Sequence, residues 1–234
     1  MRPRIEVAGI DCLTLRLFDK IDEAHMPWLL AAAQRLHEVF GAALLDLVPS
    51  YTTLLLHYDI EQLDDDQARA KIAQALHDLQ PASDRQAREL RIPVWYHPSV
   101  GPELEALAER SGLGIDGVIA LHSQHSYQVF ALGFAPGFAF MGLVDERLAS
   151  PRLATPRQRV PAGSLGIADR QTAIYPAVSP GGWNLIGRSP TRLFDRELDG
   201  YSLCRPGDRV RFVPIEREEF LQLGGDPTPF EANP

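Results

Sequence analysis

The sequence predicts an α+β protein in two parts: a helix-containing first domain, residues 1–85, and a turn-rich β-barrel domain, residues 86–234. Punctuation carries this first. Only Gly9 and Gly41 of the 18 glycines, and Pro3, Pro27, Pro49 and Pro81 of the 19 prolines, precede residue 91. Glycine and proline separate short strands, so the later part reads as β. Periodicity comes second, because the clear helical stripes lie before residue 80. Size comes third: 234 residues that are 45% hydrophobic and 23% charged can bury a sizeable core.

The first part reads strand, helix, strand, helix. Leu13, Leu15 and Leu17 alternate with Thr14 and Arg16, as a strand with one wet face does. A helix follows from about Pro27 to Phe40, with proline suited to its first turn and Gly41 to its stop. Leu29, Leu36 and Phe40 share a face of it. Thr52–Tyr58 is β-branched, apolar and aromatic, hence a strand. Asp64–Asp66 suit a helix start, and Ala68, Ile72, Ala75 and Leu79 form the stripe behind them. This order fits a small α+β sandwich with an antiparallel sheet of ferredoxin-like type. Gln80–Asp84 begins the linker.

In the second part Ile92–Tyr96 is a short strand, with Pro93 arguing for an edge. Pro102–Arg110 and Asp116–Leu121 read as short helices, the latter capped by Asp116. Tyr127–Leu132 is a well-filled strand ending at Gly133. Arg205-Pro206-Gly207-Asp208 is a turn, and with Arg209–Val213 it reads as a final hairpin. Many short strands with few helices imply a compact barrel.

Composition removes several function classes. The net charge of −8 argues against a dedicated nucleic-acid binder. No apolar run approaches the ~20 residues of a membrane span. The first residues lack a signal-peptide core, so a cytoplasmic location is expected. Cys12 and Cys204 are too few and too far apart for a disulfide framework or a CxxC metal site. His25, His37, His57 and His77 are scattered without metal-ligand spacing, so no metal is expected. Lysine occurs only at Lys20 and Lys71, against 21 arginines. The second part therefore has no lysine for a Schiff base or a phosphate loop.

Three segments there are unlike ordinary loops. Gly133, Phe134, Pro136, Gly137 and Phe138 make a stiff glycine–aromatic loop, either a binding loop or an aromatic-plugged corner. Arg152 and Arg157 follow prolines, and Val160-Pro161-Ala162-Gly163-Ser164 comes next. Guanidinium forks on stiff backbone suit a carboxylate or phosphate, although pairing with acids is the commoner role. Pro180-Gly181-Gly182-Trp183, leading to Arg188, can display backbone N–H groups to an anion or simply anchor a turn by its indole. His122 closes a short helix and Tyr127 opens the strand into the first loop. Together they can act as acid–base or orienting groups, whereas a helix-end histidine alone is more often a cap.

Taken in order, His122, Tyr127, Gly133–Phe138, Pro151-Arg152, Pro156-Arg157, Val160–Ser164, Tyr175-Pro176, Pro180–Trp183, Ile186–Arg188 and Arg205–Pro214 resemble one family across nearly the whole chain. That family is the 5-oxoprolinase B-subunit, also labelled allophanate hydrolase subunit 1 or sensor histidine kinase inhibitor of the Kip type. The resemblance implies a ferredoxin-like domain followed by a cyclophilin-like barrel, and a carboxyltransferase-type pairing with the oxoprolinase C-subunit. With the A-subunit as well, it implies a complex that opens 5-oxo-L-proline to L-glutamate with ATP, bound by the complex rather than by this chain alone. The kinase-inhibitor branch implies a histidine kinase as the alternative partner. The expected catalytic residues are His122, Tyr127 and Arg188. The expected substrate contacts are Gly133, Phe134, Pro136, Gly137, Phe138, Arg157, Ser164, Pro180, Gly181, Gly182 and Trp183. All are expected to converge on one concave site. Ser126 stands where the family pattern carries glutamate.

Overall fold

The computed structural model describes residues 3–83 and 88–230. The chain divides into two compact units, Met1–Ala87 and Arg88–Pro234. The boundary expected at residues 85/86, and Asp84 of the expected linker, lie outside the described residues.

In the first unit the element order is β1 (Arg4–Val7), β2 (Cys12–Arg16), α1 (Met26–Phe40), β3 (Leu44–Ser50), β4 (Thr53–Tyr58) and α2 (Asp65–Leu76). Its strands pair in the order β1-β2-β4-β3, every neighbour antiparallel. Leu13 opposes Leu56 and Leu15 opposes Leu54. All four are buried with Leu36, Phe40 and Ile72, so helix stripes and sheet face close one core. Pro27 sits in the first turn of α1, and Gly41 ends it with φ +57°. α2 opens with a capping box between Asp64 and Gln67. Two strands, β1 and β3, are additions to the sequence reading. β1 is half charged, and β3 carries Asp46 and Pro49, so neither shows clean alternation.

The second unit contains β5 (Glu89–Val94), α3 (Leu104–Ser111), α4 (Gly114–Gln124), β6 (Tyr127–Leu132), β7 (Ala139–Gly142), β8 (Arg157–Val160), β9 (Ser164–Ala168), β10 (Gln171–Ile174), β11 (Ser179–Gly181), β12 (Asn184–Arg188), β13 (Arg209–Pro214) and α5 (Arg217–Gln222). Seven strands follow one path, β5-β13-β6-β7-β10-β9-β12, and β8 pairs separately with β11. All pairs are antiparallel except β5 with β13. Every residue of β9 and β12 is buried, as strands covered on both faces must be.

Three expectations need correction. The path ends meet through one bridge, Trp95 with Arg188, rather than a continuous ladder, so no closed barrel is seen among the described residues. The Arg205–Asp208 turn forms, with Gly207 at φ +96°, but the strand after it pairs with β5 and β6 instead of completing a hairpin. Long-range pairing decided that partner. Asp116 lies in the first turn of α4, whose N-cap is Leu113.

Candidate functional site

The expected site residues occupy three neighbourhoods, the second and third of which adjoin where Tyr175 N donates to the Ser164 carbonyl at 2.9 Å. The first surrounds His122, on α4, which is fully buried. Thr172 Oγ1 donates to the Gly166 carbonyl at 3.2 Å, so it accepts from His122 Nε2–H at 3.0 Å. That leaves Nδ1 as the acceptor for the Tyr96 hydroxyl at 2.8 Å. Tyr127 donates its hydroxyl to the His122 carbonyl at 2.9 Å, and Phe212 stacks on the imidazole. Burial pulls the His122 pKa down to about 3, helped by nearby His125, and burial pushes Tyr127 upward. The imidazole is neutral and saturated with partners. The apolar core closes over both rings, so neither lies open to solvent as an acid–base group or as an exposed helix cap.

The second group gathers around the glycine–aromatic loop, which links β6 to β7. Phe138 packs edge-to-face against Tyr175, Trp183 and Phe140. Phe134 stands above it, 63% exposed and in the left-handed region at φ +69°. A bulky residue held there is strained backbone. Gly133 and Pro136 are exposed, whereas Gly137 is buried at φ +82° with Leu193 and Phe194 occupying the space of a side chain. Pro180 is exposed; Gly181 packs on the Tyr175 hydroxyl, Gly182 approaches Leu153 and Pro156, and Trp183 anchors the turn in the core. Arg157, opposite Gly181, forms a half-buried ion pair with Glu103 and donates to the Trp183 carbonyl at 3.3 Å. Its guanidinium also lies 4.8 Å from the Phe230 ring centre. Arg157 is thus engaged by protein groups, not held open for an anion.

The third group is Arg188 with Ser164. β12 carries a bulge between Leu185 and Gly187, which sets Arg188 directly opposite Ser164 on β9. Opposed residues of an antiparallel pair share a face. Arg188 is 1% exposed and Ser164 0%. Nη1 donates to the carbonyls of Asp226 and Thr228, both at 2.8 Å. Nε and Nη2 of Arg188, and Oγ of Ser164, are buried without a protein partner among the described residues. Burial lowers the Arg188 pKa while Asp226 opposes the change, and a guanidinium stays charged regardless.

Two further features escaped the sequence reading. A cleft of about 650 Å³ lies between Trp95, His97, Ser99, Glu216–Glu218 and Pro227–Pro229, distant segments that only folding assembles. In the first unit Asp11, Cys12 and His57 place their donor atoms within 4.8 Å of one another. His57 Nε2 lies 2.9 Å from Asp11 Oδ2. A separation of 46 residues hides that pair from any spacing rule. Among the described residues, no helix is long and apolar enough to cross a membrane.

The sequence profile of the carboxyltransferase domain, subdomains C and D, matches residues 3–204. A 5-oxoprolinase B-subunit of Bacillus subtilis (strain 168) is 34% identical over 230 residues, 94% of this chain and 96% of that protein. The Escherichia coli O157:H7 protein of the same name is 48% identical over 133 residues, 57% of this chain and 61% of that one. Among solved structures, TTHA0988 superposes with a TM-score of 0.77 at 39% identity over 96% of this chain; the chain spans 42% of that longer protein. The Kluyveromyces lactis urea amidolyase, at 16% identity and a TM-score of 0.76, covers 94% of this chain, which spans 15% of it, and shares the fold. This chain belongs to the 5-oxoprolinase B-subunit family of carboxyltransferase-domain proteins.

Proposed function

We propose that this chain is the B-subunit of an ATP-dependent complex that opens 5-oxo-L-proline to L-glutamate, its substrate surface completed by the C-subunit and the complex by the A-subunit. The observation that carries this reading is the match to a 5-oxoprolinase B-subunit along 94% of the chain, through both units. We also read the two units as ferredoxin-like and cyclophilin-like. The four-stranded sheet with two helices supports the first reading, and the seven-strand, mostly antiparallel path of the second unit supports the second.

The chemistry of the site supports dependence on partners. His122, Tyr127 and Tyr96 are sealed in the core, so they hold the frame while accessible acid–base groups come from another chain. The glycine–aromatic loop uses its amides internally: Gly133 N donates to Phe138 O, Ala135 N to Gly133 O and Phe138 N to Ala135 O. Those N–H groups are not offered to a nucleotide, and residues 91–234 hold no lysine to accompany them. We read ATP as bound by the complex rather than by this chain alone. Phe134, exposed and strained over Phe138 and Tyr175, presents an apolar face for the partner or substrate ring.

Co-expression with candidate A- and C-subunits tests the reading. ATP hydrolysis and glutamate formation that depend on 5-oxoproline, lost when any one of the three chains is omitted, support it. Full turnover without this chain rejects it. Block of a histidine kinase by this chain, with no effect on oxoproline turnover, would favour the binding-module alternative.

A further inference from the structure

We propose that Arg188 and Ser164 form a closed carboxylate-binding site, covered by the chain's own segment Asp226–Phe230 and reached from the adjoining cleft. Among the described residues, the guanidinium has one side in use and one side without a protein partner. Its Nη1 is spent on two backbone carbonyls of that segment. What remains is the Nε–Nη2 edge, the two parallel N–H groups that match the two oxygens of a carboxylate. The Ser164 hydroxyl, on the same face of the adjacent strand, supplies a third donor without a protein partner.

A buried guanidinium edge without a protein partner is costly, because desolvated N–H groups need hydrogen-bond acceptors. A planar anion placed there removes that cost. Burial also excludes competing water, so a charge-assisted pair gains strength.

Access comes from the covering segment. Asp226 and Thr228 are exposed on their outer side, and the segment is tied down by the two carbonyl contacts to Arg188 and by Phe230 N donating to Ser99 O. The cleft runs beside it, with Pro227, Thr228 and Pro229 as one wall and Trp95 as another. Trp95 exchanges both backbone hydrogen bonds with Arg188. The cleft therefore ends against the strand that carries the fork. Glu216 and Glu218 on its rim repel anions, while Arg217 between them attracts them, so entry is not driven by charge alone.

This inference rests on the reading above for the identity of the ligand: 5-oxo-L-proline carries one carboxylate on an otherwise neutral lactam. The test uses the full chain and thermal stabilisation by ligand. 5-Oxo-L-proline is expected to raise Tm saturably, and 2-pyrrolidinone, the same ring without the carboxylate, is expected not to. Ser164→Ala should weaken the apparent affinity at least threefold and Arg188→Lys at least thirtyfold, since lysine keeps the charge but has no fork. If Arg188→Lys does not fold, Ser164→Ala and a chain ending at Gly225 decide. Truncation should speed association at least tenfold by removing the cover. Equal stabilisation by the neutral lactam, none by either compound, or affinities unchanged in the variants overturns the site. Stronger stabilisation by inorganic phosphate overturns the carboxylate assignment. Fork-dependent binding without turnover in the assembled complex defeats the functional reading alone. Turnover with an unchanged KM in Ser164→Ala and Arg188→Lys defeats this inference alone.

Discussion

His122 Nε2 and Thr172 Oγ1 lie 3.0 Å apart in the core, and the direction of the bond is set because Thr172 gives its own proton to the Gly166 carbonyl. The imidazole is thereby held as the Nε2–H tautomer, with Tyr96 donating to the opposite nitrogen. The consequences are measurable.

Stability should fall on acidification through this group. The folded pKa is about 3 against an ordinary 6.5, so between those values the unfolded chain binds the extra proton. The contribution is complete above pH 6.5 and is lost as pH drops toward 3, at up to about 1.4 kcal/mol per pH unit. Urea unfolding at several pH values should show wild type losing this much more than His122→Gln. Parallel curves would mean that the histidine is not held neutral.

Thr172→Val keeps the shape but leaves the His122 N–H without its acceptor in the core. A loss of roughly 1–3 kcal/mol is expected. Thr172→Ser retains the hydroxyl and should recover most of it, a contrast that equilibrium denaturation resolves.

Gly163 and Gly112 both have positive φ, +79° and +68°. A Cβ at Gly163 would sit 2.3 Å from the Ser189 carbonyl oxygen, whereas one at Gly112 would meet nothing within 4 Å. Gly112→Ala should cost about 1 kcal/mol from backbone strain alone. Gly163→Ala must also shift backbone beside Arg188, and should cost at least twice as much by the same denaturation assay.

Asp208 is 5% exposed and accepts from Arg88 Nε at 3.0 Å, from Arg88 Nη2 at 2.5 Å and from the Arg205 amide at 2.7 Å. The pair fastens the turn before β13 to the start of β5. Asp208→Asn keeps the size but loses the charge and one acceptor. A drop of about 1–3 kcal/mol is expected, read as a lower denaturation midpoint.

Legibility followed the range of the interaction that decides each element. α1 and α2 were readable because Leu29, Leu36 and Phe40, or Ala68, Ile72 and Ala75, repeat at helical spacing and end at local signals such as Gly41 and Asp64. β4 and β6 were readable from their β-branched and aromatic fill. β1 and β3 were not, because pairing with a neighbour stabilises them despite charged residues and a proline. The Gly-Gly-Trp turn could be read as an anion nest or as an anchor. The packing of Trp183 against Phe138, distant in the chain, supplies the anchor.

By itself the sequence determined the change of character near residue 90, most of the elements, the family, and the chemistry that the second unit lacks, lysine above all. Only the tertiary structure decided which of the marked residues meet. His122 and Arg188 look alike in the sequence, each a polar residue at the end of an apolar run. Among the described residues, folding gives the first a partner on every polar atom of its ring, and leaves the second with two N–H groups without a protein partner. The reason is physical. Periodicity records which face of an element is buried, but a hydrogen-bond partner is set by strand register and by segments tens of residues away, and no local pattern carries that information.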